Sequence, residues 1–164
     1  MTKFLLGLAI VAFTSYCGNF FTKKYRKRKS FFSQLFEFNE RFLSEISYYR
    51  RPINEFASSS IYKGEFHAFL IEFFNGIKES EISVDKIIES DDYYFLSTEE
   101  KTVLRDYFYM LGKGNSEAQK AYFSSIKERL IKLRTQAETE SKKYGDLYVK
   151  LGFLCGLLIL ILII

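Results

Sequence analysis

Histidine and proline each occur once in the 164 residues, cysteine twice and tryptophan not at all. Each scarcity closes a class of function. A serine–histidine or cysteine–histidine device would have to use His67, which lies in the aromatic-rich segment from Glu65 to Phe74, where a core or half-exposed place suits it better than a ligand's. Cys17 and Cys155 both fall inside apolar runs, next to a reducing cytoplasm, so no disulfide framework is expected and the pair cannot assemble a metal site alone. There is no G-x-x-x-x-G-K-[ST] phosphate loop, no G-x-G-x-x-G fingerprint and no G-x-S-x-G elbow. The adjacent acids Asp91-Asp92 and Glu99-Glu100 read as solvated cap or turn residues. The chain therefore reads as not an enzyme, with no metal and no cofactor.

What is present is an apolar run at each end. Phe4 to Phe21 carries no charge over 18 residues, and at about 1.5 Å per helical residue this is close to the thickness of a hydrocarbon core. Leu151 to Ile164 is shorter, but Leu147, Tyr148 and Val149 extend it, with Lys150 able to snorkel its ammonium to the headgroups. Basic residues mark the inward side of both runs: Lys23, Lys24, Arg26, Lys27, Arg28 and Lys29 after the first, and Lys142, Lys143 and Lys150 before the second. Such charges stay on the cytoplasmic side. The expected organisation is a transmembrane helix over 4–22, a juxtamembrane collar over 23–29, a cytoplasmic helical domain over 30–146 and a second transmembrane helix over 147–164. The rival reading of the first run is a cleaved signal peptide. No A-x-A-like cleavage site lies near Ser15 to Asn19, and the six basic residues that follow oppose translocation.

The whole-chain charge of +4 hides an asymmetry. Between Ser30 and Ser141 stand 19 acidic residues against 14 basic ones, a net of −5. The basic collar suits anionic lipid headgroups, and the acidic domain lacks the basic, aromatic-lined face that nucleic acid requires.

Periodicity predicts an all-α middle. Phe32, Leu35, Phe42, Ile46, Tyr49 and Ile53 recur at spacings of three and four, interrupted by Asn39, on a helix from about Ser30 to Arg50. Pro52 opens a short second helix to about Tyr62, ending near Gly64. A third runs from Glu65 to about Lys78. Ser83 or Asp85 caps a short fourth through Ile87 and Ile88. Ser97 and Glu100 form a capping box for a fifth, ending at Gly112, and Ser116 caps the last. Six helices result, with no segment patterned as sheet.

On the last helix Phe123, Ile126, Leu130, Leu133, Ala137, Tyr144, Leu147, Leu151 and Leu154 follow spacings of three and four, with Glu140 as the polar interruption. The stripe runs from the domain into the apolar run, so one helix from Ser116 to the end is expected. It either packs on the chain's own first helix or serves self-association into a homo-oligomer. Gly152 and Gly156 form a G-x-x-x-G pair, and Thr14 with Gly18 a small-x-x-x-small pair. Counted from Lys23 and Lys150, Gly18 matches Gly156 in depth and Cys17 matches Cys155. The expectation is a packed hairpin, testable by oxidative crosslinking of the two cysteines.

The segment from Glu79 to Glu100 holds Glu79, Glu81, Asp85, Glu89, Asp91, Asp92, Glu99 and Glu100 against Lys86 alone. It reads either as a solvated loop or as an electrostatic landing strip for a basic partner face, with Tyr94 and Phe95 as apolar anchors.

Two stretches carry a family resemblance. Leu111-Gly112, Asn115 and Gln119, followed by the polar helix into Lys150-Leu151-Gly152-Phe153-Leu154-Cys155-Gly156 and the apolar end, resemble the stage III sporulation protein AB family of endospore-forming bacteria. Glu45-Ile46-Ser47-Tyr48 followed by Pro52-Ile53 is similar to that family's E-I-x-Y-x-x-x-P-L stretch. Asn115 stands about where an Asp is usual, and Ile53 replaces Leu. The resemblance covers essentially the whole chain. It implies a mother-cell membrane protein of the stage III sporulation A group, which builds a channel or secretion-like complex. It further implies a soluble part like the helical cytoplasmic domain of the type II secretion platform protein, and as partners a cytoplasmic ATPase and other membrane proteins of the same group. The alternative is a general membrane-anchored helical adaptor that homodimerises through its last helix.

Overall fold

The computed structural model describes the backbone of residues 2–49, 61–79 and 84–163, and the side chains of residues 9–47, 61–77 and 84–162. Every regular element among them is helical. Helix α1 spans Thr2–Ser44 and passes into a π-helical turn over Glu45–Tyr49. Helix α2 covers Gly64–Glu79, α3 Val84–Ile88, a 3₁₀ turn Asp91–Tyr93, α4 Thr98–Met110 and α5 Ser116–Ile163. The long first and last helices follow from the absence of proline on either side of Pro52. The expected helix opened by Pro52, like a cap by Ser83, lies outside the described residues. The π turn over Glu45–Tyr49 carries no sequence signature of its own.

The chain forms two compact units, Met1–Lys29 with Thr135–Ile164, and Ser30–Arg134. The second unit is built on aromatic side chains. Phe31, Phe32, Leu35, Phe38 and Phe42 of α1 are all buried, a stripe wider than the one read from spacing, which had passed over Phe31 and Phe38. Phe31 meets Phe66 edge-on at 5.3 Å, Phe69 lies 4.6 Å from Phe108, and Phe123 of α5 closes on Phe42 at 4.7 Å and on Tyr107 at 5.0 Å. Edge-to-face pairs set the positive rim of one ring against the negative face of another, so such rings fill a core with fixed geometry.

Local signals terminate the helices. The Ser97 hydroxyl accepts from Glu100 N at 3.3 Å and Glu100 Oε2 accepts from Ser97 N at 2.8 Å, completing the expected capping box. Gly112 stands at φ 80°, in the left-handed region that a helix exit favours. The start of α5 differs from expectation. Asn115, one residue before Ser116, is the cap: its Oδ1 accepts from Ala118 N at 2.8 Å. Asn and Asp both serve this role, because each offers a side-chain oxygen at the same reach. A charge is therefore not required there.

In the first unit α1 and α5 run against one another. Tyr25 stacks on Tyr144 at 4.8 Å, Phe21 contacts Tyr148 at 6.0 Å, and Arg28 forms an ion pair with Glu140. Glu140, the polar interruption of the stripe, is the acid that neutralises Arg28. Below it the seam leaves the predicted line. Phe123, Leu130 and Ala137 are buried and Tyr144 meets α1 as expected, but Leu147, Leu151 and Leu154 are exposed, and Tyr148, Gly152 and Gly156 face α1 instead. Their spacing of four replaces a spacing of seven because two glycines let the backbones approach where leucines would hold them apart.

Candidate docking surface and apolar helix pair

The close approach in the helix pair is made by the small residues singled out from the sequence. A Cβ added at Gly152 would stand 2.5 Å from the Thr14 carbonyl oxygen, and one at Gly18 2.5 Å from the Tyr148 carbonyl oxygen. At Gly156 it would meet the Thr14 hydroxyl and, at 2.8 Å, Val11 Cα. The structure thus brings Thr14, Gly18, Gly152 and Gly156 together within one chain. Their register corrects the depth count: Gly18 opposes Gly152, and Gly156 opposes Val11 and Thr14, so Gly18 does not match Gly156 and Cys17 does not match Cys155. The count sets Lys150 level with Lys23, whereas Tyr25 meets Tyr144 and Gly18 meets Tyr148. Lys150 therefore lies about a turn deeper than assumed. Thr14 spends its hydroxyl on the Ile10 and Val11 carbonyls, both at 3.1 Å, which keeps a polar group satisfied between apolar helices.

The collar divides by side. Lys23, Lys24 and Arg26 are exposed, Lys27 and Lys29 are half-buried, and Arg28 turns inward to Glu140. Arg28 is thus withdrawn from the lipid-facing set, because the helix rotates it onto α5.

The acidic segment is broken up by folding. Arg105 of α4 pairs with Asp85 and, at 3.8 Å, with Glu89, which ties α3 to α4. Glu100 is buried at 2% exposure within its capping box and is withdrawn from any docking surface. Asp91, Asp92 and Glu99 are exposed. Phe95 is also buried, so of the two expected anchors Tyr94 alone is exposed. The side chain of Glu79, and Glu81 altogether, lie outside the described residues. Folding adds an acid that sequence order had placed elsewhere: Glu72 of α2 lies close enough to Asp92 to feel its charge, and its carboxyl is held above the ordinary range, first by burial and then by Asp92. His67 is half-buried, and among the described residues no group of three or more His, Cys, Asp or Glu side chains is placed to hold a metal ion.

The regular elements among the described residues are all helical, and the last helix is long and apolar enough to cross a membrane, with a mean hydropathy of 2.0 in its most apolar window, which suggests membrane association. The chain belongs to the stage III sporulation protein AB family, whose sequence model matches residues 3–164. No curated protein and no solved structure matches it.

Proposed function

We propose that this sporulation protein is a non-enzymatic platform of the stage III sporulation A channel or secretion-like complex. In this reading both terminal helices cross the mother-cell membrane, the central unit stands on the cytoplasmic side, and the protein docks a cytoplasmic ATPase there. The observation that carries the reading is the apolar exterior of the helix pair. Phe13 at 67% exposure, Leu158 at 61% and Leu162 at 77% point outward while the glycines point inward. In water such a surface is unfavourable by about 25 cal/mol per Å² of apolar area, and in lipid it is not. The exposed Lys23, Lys24 and Arg26 beside it suit an anionic headgroup layer.

The helical central unit supports the likeness to the type II secretion platform domain. A chain without a phosphate loop needs its work done by a partner, and the family's cytoplasmic ATPase is that partner. The dimerising adaptor is less well supported, because Phe123, Leu130 and Ala137 of the last helix are already buried within the chain.

The test is recovery of the tagged full-length protein from detergent-solubilised membranes of sporulating cells, together with labelling of a cysteine placed at exposed Glu99 by an impermeant maleimide. The reading expects the ATPase to co-purify and labelling only in inverted vesicles. Recovery as a dimer without the ATPase would favour the adaptor, and labelling in intact cells would overturn the topology.

A further inference from the structure

The apolar run of α1 carries two polar side chains that the chain itself leaves unsatisfied. The hydroxyls of Thr14, Ser15 and Thr22 turn back onto carbonyls of their own helix, at 2.7 to 3.1 Å, which hides a polar group from lipid. Tyr16 and Asn19 differ. Asn19 Oδ1 accepts only from the Thr22 hydroxyl, at 3.4 Å, and among the described residues nothing bonds the Asn19 amide hydrogens or the Tyr16 hydroxyl. Both side chains are exposed, Tyr16 to 67%. Packing sets their depth. A Cβ at Gly152 would meet both Thr14 and Gly18, so Tyr16, midway between those two, stands about level with Gly152, inside the run from Leu151 to Ile164. Asn19 lies about one turn nearer the basic collar. Helical side chains lean toward the N-terminus, here away from the collar, so neither group is carried back toward water.

The two groups share a seam. Ala9, Ala12, Tyr16, Asn19 and Lys23 recur at spacings of three and four and are all exposed. At about 100° per residue they lie on the side of α1 away from Val11, Thr14 and Gly18, which face α5. We propose that this seam is the contact between two parallel copies of the chain, with Asn19 of each copy hydrogen-bonded to Asn19 of the other; the proposal rests on the reading above in which α1 crosses the membrane. Two copies inserted alike are related by a two-fold axis, so each seam residue faces its own counterpart. A carboxamide and a phenol each donate and accept, and therefore satisfy their counterparts. Lipid tails offer neither donor nor acceptor, and a face of donors alone or acceptors alone would call for a different partner. This face is complementary to itself. Ala9 and Ala12 leave room for close approach between the flanking rings of Phe13 and Phe20, and one asparagine in such a seam fixes register between paired helices. Lys23 ends the seam with its ammonium 5.1 Å from its own Phe20 ring, at a level where anionic headgroups neutralise the two charges.

The test uses the full-length protein in its membrane. In a background with Cys17→Ser and Cys155→Ser, Ala12→Cys should give a disulfide-linked dimer on mild oxidation, and Leu158→Cys, on the outward side of α5, should not. Asn19→Leu added to Ala12→Cys should lower the dimer about threefold, and Asn19→Gln, which keeps the amide, should restore it. Membrane fractionation of each variant separates lost pairing from lost insertion. Labelling of Thr2→Cys by an impermeant maleimide from outside intact cells reports separately that α1 crosses. That labelling without a disulfide at Ala12→Cys would overturn the seam and leave the platform reading standing. A dimer linked through Leu158→Cys instead would move self-association to the last helix and overturn the seam, and a mixed disulfide between Ala12→Cys and another protein would overturn the second copy as occupant. An Ala12→Cys dimer indifferent to Asn19→Leu would overturn the asparagine pair. No labelling of Thr2→Cys from outside would overturn both readings, because α1 would then not cross the lipid.

Discussion

Tyr107 of α4 donates its phenolic hydrogen to Asn39 Oδ1 of α1 at 3.2 Å, and Asn39 Nδ2 donates in turn to the Phe123 carbonyl of α5 at 3.3 Å. Three helices are thereby joined by two side chains at the centre of the aromatic core. Asn39 is fully buried and so is Tyr107, whose phenol burial pushes well above its ordinary value. Neutral throughout the working pH range, Tyr107 is a constant donor. Tyr107→Phe should keep the packing but strand the amide oxygen, lowering stability by about 1–3 kcal/mol. Urea unfolding of the full-length protein in detergent checks this; an unchanged midpoint would show that the bond contributes nothing.

Gly145 and Gly152 lie on the same helix and should respond in opposite ways. Nothing stands within 4 Å of a Cβ at Gly145, whereas at Gly152 it would strike the Thr14 carbonyl at 2.5 Å. Gly145→Ala should stabilise the helix by about 0.5–1 kcal/mol. Gly152→Leu should force α1 and α5 apart, read as a lengthened distance between spin labels on the two helices. If that distance is unchanged, the close crossing is not what holds the pair.

The register bears on the two cysteines. With Tyr25 opposite Tyr144, Cys17 lies level with Gly152 rather than with Cys155, an offset of roughly 4.5 Å along the pair, and Cys155 faces outward. Oxidation in membranes should therefore give little disulfide within a chain, visible as unshifted monomer on a non-reducing gel. A fast-migrating internal disulfide in high yield would restore the register expected from counting lysines. A dimer band would instead report contact between chains.

Glu72 gives a pH-dependent expectation. Its carboxyl is raised in the folded state, first by burial and then by Asp92, so the fold binds its proton more tightly than the unfolded chain does. Stability then falls as pH climbs from the ordinary glutamate range through the raised folded value, and the loss is complete above it. Glu72→Gln should unfold no more easily than the parent at neutral pH and should flatten this decline. Thermal unfolding between pH 4 and pH 7 measures it. A clear loss of stability in the variant would mean that the Glu72 carboxylate helps to hold the fold together.

Asn115 is the cap of α5, so Asn115→Asp should retain stability and Asn115→Ala should lose about 1 kcal/mol. Equal unfolding of both variants would remove the cap from the account.

Much of this protein is decided by residue order alone. An amphipathic period and a capping residue act within one turn of chain, so α2, α3, α4 and α5 were legible from Glu65, from Ser83 or Asp85, from Ser97 and from Ser116 onward to within a residue or two. The small-residue pairs also announced a close helix crossing, since a missing side chain is visible without coordinates. Tertiary structure decided what depends on rotation and on residues far apart in sequence. Asn39 read as a flaw in a stripe until Tyr107 and Phe123 were brought to it. Arg28 left the basic collar because helix rotation set it against Glu140. The long acidic run was divided among Arg105, a capping box and the surface, and Asp92 acquired Glu72 as its neighbour from another helix. Hydrophobic periodicity specifies that a face is buried, but the partner a polar atom meets is set by how the faces pack.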